Sequence, residues 1–245
     1  MLKLNKLFEV LSNLFLPKGD ILKGQYNTFL EELDYSKYIP FLKQVDFTQN
    51  PVILDYIWTC VDYDKFGVAN LLRRAKVVSE WAIAVEISEI LIYQFSEQSK
   101  AQASDIENQT YQTQISLKSP DYITFMPPDP SRLKKRGYHI PQIIAKTIAQ
   151  KLDKKLIQLV QKSKTTISQT ELNRTARIES LNDALIPTQE LQGFAELAKT
   201  QAIHIWLIDD FTTTGTSLYQ VAKVINSVCP ELKITAIAIG GKLES

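Results

Sequence analysis

Cys60 and Cys229 are the only thiols in 245 residues. That excludes a disulfide scaffold and a four-cysteine zinc site, and it suits a reducing compartment in which both side chains are apolar packing. Glycine is scarce, at 8 residues. No G-x-x-x-x-G-K-[ST] and no G-x-G-x-x-G occurs anywhere in the chain, which removes the P-loop nucleotidases and the dinucleotide-binding fingerprint. Charge of one sign is also missing: 28 Lys and Arg face 27 Asp and Glu, a net charge of +1. No strong field draws the protein to an anionic membrane, and the balance argues against direct DNA binding. Long apolar runs are absent too. Trp81 to Tyr93 is interrupted by Glu86 and Glu89, short of the about 18 residues that a spanning helix needs. The first twenty residues carry lysines, but Glu9, Ser12 and Asn13 break the apolar stretch and no small-residue cleavage site follows. They read as a short amphipathic helix rather than a signal peptide, and the expected location is the cytoplasm.

What is present is ordinary for a globular protein, with 44% hydrophobic and 22% charged residues, and the length allows one large domain with a small appendage. Residues 1–55 are rich in Leu and Lys and are cut by Pro17, Pro40 and Pro51, so they read as a separate N-terminal piece, with the main domain over 56–245. Val68, Leu71, Leu72, Ala75, Val78, Ala82, Val85 and Ile90 recur near helical spacing, predicting one or two helices between Trp58 and Tyr93. Residues 97–119 are polar and irregular, as a surface insertion would be. The second half alternates more clearly. A strand YITFM (122–126), a basic loop, a helix from Pro141 to Leu152, a strand LIQLV (156–160) and a polar loop come first. The strand IHIWLI, a polar turn, a helix from about Ser217 to Val228 and the strand KITAIAI (233–239) follow. Such βα units predict an α/β fold with a twisted, mainly parallel sheet covered by helices on both faces. Ligands of these sheets sit at the carboxyl ends of the strands.

The most informative string is IHIWLIDDFTTTGTSLYQVAKVI, residues 203–225. A buried strand delivers two carboxylates, Asp209 and Asp210, to its carboxyl end. Thr212, Thr213, Thr214, Gly215, Thr216 and Ser217 then turn into a helix. Capping accounts for any one of these hydroxyls, but not for six hydroxyl or glycine positions directly after an acid pair. The turn suits a phosphate monoester: Gly215 permits close backbone approach, successive N–H groups form a nest, and the helix start adds partial positive charge. Carboxylates repel that anion. They suit sugar hydroxyls or a hydrated cation instead.

This string resembles the 5-phosphoribosyl-1-pyrophosphate (PRPP) motif of type I phosphoribosyltransferases. The resemblance implies that fold, with Asp209 and Asp210 on the ribose hydroxyls and Thr213, Thr214, Gly215, Thr216 and Ser217 around the 5′-phosphate. Two further segments are similar to the ComF family. PDPSRLKKRGYHI (128–140) matches its HPxRLxxRGFNQ loop at Arg132, Leu133, Arg136 and Gly137. QTELNRTARIESLNDAL (169–185) matches its QxxLxxxxRxxNVxGAF segment at Gln169, Leu172, Arg177 and Ala184. LLRRAKVVSE (71–80) is a weaker echo of its LKYxGD region, with Lys76 at the lysine. The likeness spans about 56–241 and implies transfer of a phosphoribosyl group from PRPP to an unidentified, nitrogen-type acceptor, with release of pyrophosphate. Magnesium would be held by ligand oxygens, water, and Asp209 or Asp210. Arg132 and Arg136 would grip the pyrophosphate, since guanidinium forks match it. A flap with Lys162, Lys164, Gln169, Arg174 and Arg177 would close over the leaving group.

The chain also departs from the family. Asp129 stands for its His, His139 for its Asn, Ile140 for its Gln, Ser180 for its Asn and Asp183 for its Gly. By the resemblance these positions would face the pyrophosphate, so a non-catalytic PRPP-binding or interaction protein of the competence and DNA-uptake type is the alternative. PKGDILKG (17–24) keeps the frame of the family's PxxCxxCG zinc knuckle but has Asp20 and Lys23 in place of the cysteines. An ammonium cannot replace a thiolate on zinc, so no structural zinc is expected. His204, inside the strand, reads as a satisfied buried imidazole, and neither it nor His139 is assigned as a base. Tyr138 reads as packing under the basic loop.

Overall fold

Ile203 to Ile208 is apolar at all but one position, which suits a strand buried on both faces. In the computed structural model it is the heart of the sheet. The structure describes residues 41–43, 53–54, 57–62, 68–77, 83–85, 87–88, 91–92, 95–96, 118–163 and 185–241. Among the described residues the strands are β1 (Phe41–Lys43), β2 (Ile57–Asp62), β3 (Tyr122–Phe125), β4 (Lys155–Leu156), β5 (Val160–Lys162), β6 (Leu185–Pro187), β7 (His204–Thr212) and β8 (Lys233–Gly241). The helices are α1 (Val68–Val77), α2 (Pro130–Arg136), α3 (Ile140–Lys151), α4 (Gln189–Ala198) and α5 (Thr216–Val228). Further described residues between 83 and 96 are helical.

Six strands form one sheet in the order β1-β2-β8-β7-β3-β4. Every pairing from β2 to β4 is parallel, and only β1 runs antiparallel, at the edge beside β2. A separate antiparallel pair joins β5 to β6. The expected α/β architecture with a mostly parallel, helix-flanked sheet is therefore present. β1 lies within the stretch assigned from sequence to the N-terminal piece, so the sheet draws on residues before 56.

Alternation along β7 divides the core. Ile205 and Leu207 pack with Leu191 and Phe194 of α4, with Leu218, Val221 and Ile225 of α5, and with Val160 and Leu185 of the small pair. Trp206 points to the opposite face, where Phe95 meets it edge-on with ring centroids 5.1 Å apart. α3 buries Ile144, Ala145 and Ile148 against β3 and β7. Each fully buried branched side chain contributes about 1.5–3 kcal/mol of transfer free energy, which fixes the strand order more firmly than any local propensity.

Several local expectations change. LIQLV is not one strand: Lys155–Leu156 joins the main sheet beside β3, whereas Val160–Lys162 belongs to the small pair. Trp58 lies in β2, not in a helix. The basic loop after β3 is mostly the helix α2, because Asp129 caps it, accepting from the amides of Ser131 and Arg132 at 3.0 and 3.2 Å, with Pro130 in its first turn. Gly137 ends it in the left-handed region at φ 79°. The sequence reading also passed over α4, although Thr188 caps it and Leu191, Phe194 and Ala198 supply a helical stripe. No helix among the described residues is long and apolar enough to cross a membrane.

Candidate functional site

The chain leaves β3 through α2 and α3 for β4 on one flank, and leaves β7 through α5 for β8 on the other. Neighbouring strands whose crossovers diverge open a crevice at their carboxyl ends. Two segments reach that crevice: residues 126–139 after β3, and residues 209–217 at the end of β7. These hold Arg132, Arg136, Asp209, Asp210, Thr213, Thr214, Gly215, Thr216 and Ser217. The other predicted site residue, Arg177, lies outside the described residues, as do Lys164, Gln169, Leu172, Arg174, Ser180, Asp183 and Ala184. The knuckle frame at 17–24 and residues 97–117 lie outside them as well.

β7 continues through the acid pair to Thr212 before turning. Gly215 adopts φ 75°, a backbone region that side chains disfavour, and it is the residue from which α5 starts. Its N–H donates to Thr212 Oγ1 at 3.1 Å, while the Thr214 and Thr216 hydroxyls share a hydrogen bond of 2.8 Å. Thr213, Thr214 and Ser217 are exposed and Thr216 is half-buried. The first-turn amides of Ser217 and Leu218 have no carbonyl one turn earlier within the helix to bond, the usual condition of a helix start. A tight hydroxyl-lined turn thus meets an open helix N-terminus at the crevice.

Consecutive residues on a strand start out toward opposite faces, yet the two carboxyl groups end close enough to bond each other. Asp210 is buried, and its Oδ2 lies 2.8 Å from Lys76 Nζ in the last turn of α1. The charge of Asp210 also acts on His139. Asp209 feels the same Lys76 charge, and Lys162 at the end of β5 is near it as well. Its Oδ1 accepts the backbone N–H of Asp210 at 2.8 Å. Burial holds the Asp209 carboxyl well above the usual carboxylate range, and the Asp210 charge raises it further. Burial lowers the Lys162 ammonium, with nearby Asp129 partly restoring it. Asp129 is also pushed up by burial, but hydrogen bonds from Ser131 and the Arg132 amide, together with the Lys162 charge, bring it below its usual value.

Arg132 is exposed on α2 and Arg136 is half-buried near its end. Arg132 lies close enough to Lys162 for their charges to interact, so two cations from separate segments border the crevice. His139 Nε2–H donates to the Met126 carbonyl at 2.7 Å. That bond supplies a partner invisible in the sequence, and burial lowers the imidazole pKa. Sequence reasoning noted Lys76 only as a faint family echo. Its pairing with Asp210 joins residues 134 positions apart, which no local pattern signals.

Among the described residues no group of three or more His, Cys, Asp or Glu converges as a metal cage. Two adjacent hard carboxyl groups fit a hydrated divalent cation shared with ligand oxygens better than a cation enclosed by protein. No protein-family model matches the chain, and no curated protein is significantly similar to it.

Proposed function

We propose that this chain is a ComF-like phosphoribosyltransferase of the type I fold, binding PRPP with magnesium. The observation that carries this reading is Gly215 in the left-handed region, joining the acid-bearing end of β7 to the open start of α5 at the crevice. A phosphate monoester would lie on the amides and hydroxyls from Thr213 to Ser217. Asp209 and Asp210 would accept hydrogen bonds from the ribose hydroxyls, and Arg132 and Arg136 would hold the pyrophosphate. Arg177 would reach the leaving group from the flap.

In the reaction the anomeric carbon's bond to the pyrophosphate oxygen breaks with both electrons going to pyrophosphate. A bond from the acceptor nitrogen forms, and that nitrogen loses its proton to solvent. The intermediate charge resembles an oxocarbenium ion, so the protein's contribution is orientation and electrostatic stabilisation. Magnesium, when bound at Asp209 or Asp210, supplies neutralisation of the pyrophosphate charge.

A second reading, a PRPP-binding protein without turnover, is favoured by one observation. The Asp129 carboxylate, at the family's histidine position, is engaged in capping α2. Isothermal titration with PRPP and magnesium tests the shared core of both readings. Heat of binding that Asp210→Ala abolishes is expected, and no heat from folded protein removes both. Pyrophosphate release against a panel of purine, pyrimidine and amine acceptors separates them.

A further inference from the structure

Asp210 stands near the carboxyl end of β7, and Lys76 Nζ lies 2.8 Å from its Oδ2. The contact is well sheltered, with the Asp210 side chain 10% exposed and that of Lys76 32%. Lys76 belongs to the last turn of α1, and the hydroxyl of Tyr138 bonds the carbonyl of the adjacent Ala75. The ammonium is therefore delivered from a backbone that is itself anchored to the segment after β3. The backbone of Asp210 is held in turn by the Asp209 carboxylate and by the pairing of β7 with its neighbours. Both partners of the ion pair come from constrained backbone, which removes the rotational freedom a lone aspartate keeps at a strand end.

We infer that Lys76 is a positioning residue: by engaging Oδ2 it orients Asp210 so that Oδ1 is presented to the ligand, which makes the site selective for a sugar phosphate bearing ring hydroxyls over its deoxy counterparts. This deepens the phosphoribosyl reading and rests on it. A fixed acceptor discriminates between a hydroxyl and a hydrogen because it cannot turn away when the donor is missing, so the unmet charge is felt in full. A freely rotating carboxylate re-solvates instead and loses that discrimination.

The test uses the full chain and three closed-ring probes: methyl ribofuranoside 5-phosphate and its 2-deoxy and 3-deoxy forms, titrated calorimetrically. The wild-type protein is expected to bind the ribose compound about tenfold more tightly than at least one deoxy form, the effect of one hydrogen bond to a partly sheltered charged acceptor. Lys76→Met should reduce that ratio to about threefold or less, and Lys76→Arg should restore it. Should Lys76→Met fail to fold, Lys76→Gln, which retains a neutral donor, is expected to give a ratio between those of the other two proteins. A folded Lys76→Met, or a Lys76→Gln standing in for it, with the wild-type ratio overturns the inference and leaves the phosphoribosyl reading intact, provided PRPP still binds. A wild-type protein that binds PRPP but does not discriminate among the probes has the same consequence. Absence of any sugar-phosphate or PRPP binding by folded wild-type protein overturns both.

Discussion

The hydroxyl of Tyr138 donates to the main-chain carbonyl of Ala75, 63 residues earlier in the chain. It ties the C-terminal turn of α1 to the segment that follows α2, beside the residue whose ammonium meets Asp210. Tyr138→Phe removes the donor and keeps the ring, so it should destabilise the fold by about 0.5–1.5 kcal/mol. Faster amide hydrogen exchange should appear in the last turn of α1. A urea midpoint and an exchange pattern equal to wild type would show that the tether has no energetic role.

Gly137 and Gly215 both lie in the left-handed region, at φ 79° and 75°. A Cβ on Gly137 would meet nothing within 4 Å, so Gly137→Ala isolates the backbone cost, about 1–2 kcal/mol. Gly215→Ala should carry a comparable backbone penalty and also weaken sugar-phosphate binding, because its turn shapes the proposed cradle. Denaturation and calorimetry on both variants check this. Equal binding by the two would move the anion elsewhere.

His204 is buried at the start of β7, where Nδ1–H donates to the Ser119 carbonyl at 3.3 Å and the neutral Nε2 accepts from Thr235 Oγ1 at 2.8 Å. Burial depresses its pKa below the usual 6.5, and burial acts in the same direction on His139. A folded-state value below the unfolded one means that the unfolded chain takes up protons first. Stability from these groups is therefore fully present above about pH 6.5 and is lost as the pH falls toward the depressed value. Urea unfolding should show lower stability at pH 5 than at pH 7.5, and His204→Gln should shrink that loss. An unchanged pH difference in that variant would assign the acid sensitivity to other groups.

The alternation of strand and helix in the second half was legible because its periods differ by nearly a factor of two, and buried parallel strands stand out as short apolar runs. β3, α3, β7, α5 and β8 follow from that rhythm, and the position of Gly215 follows from its turn chemistry. Short elements were harder to read. α2 looked like a loop because all its residues but Pro130 and Leu133 are polar and only its ends, Asp129 and Gly137, mark it as a helix. LIQLV looked like one strand because apolar content says nothing about which neighbour a backbone will pair with.

The acid pair and its hydroxyl-rich turn are adjacent in the chain, so covalent spacing alone brings them together, and any folded state containing β7 must present them as a unit. The counter-charges are a different matter. Lys76 meets Asp210, and Lys162 comes near the same acid pair, only because α1 and β5 pack around the end of one strand. Which cations reach the acids is set by strand order and by the packing of elements around the sheet. Neither quantity exists before the strands have paired, and so the electrostatics of the site belong to the tertiary fold.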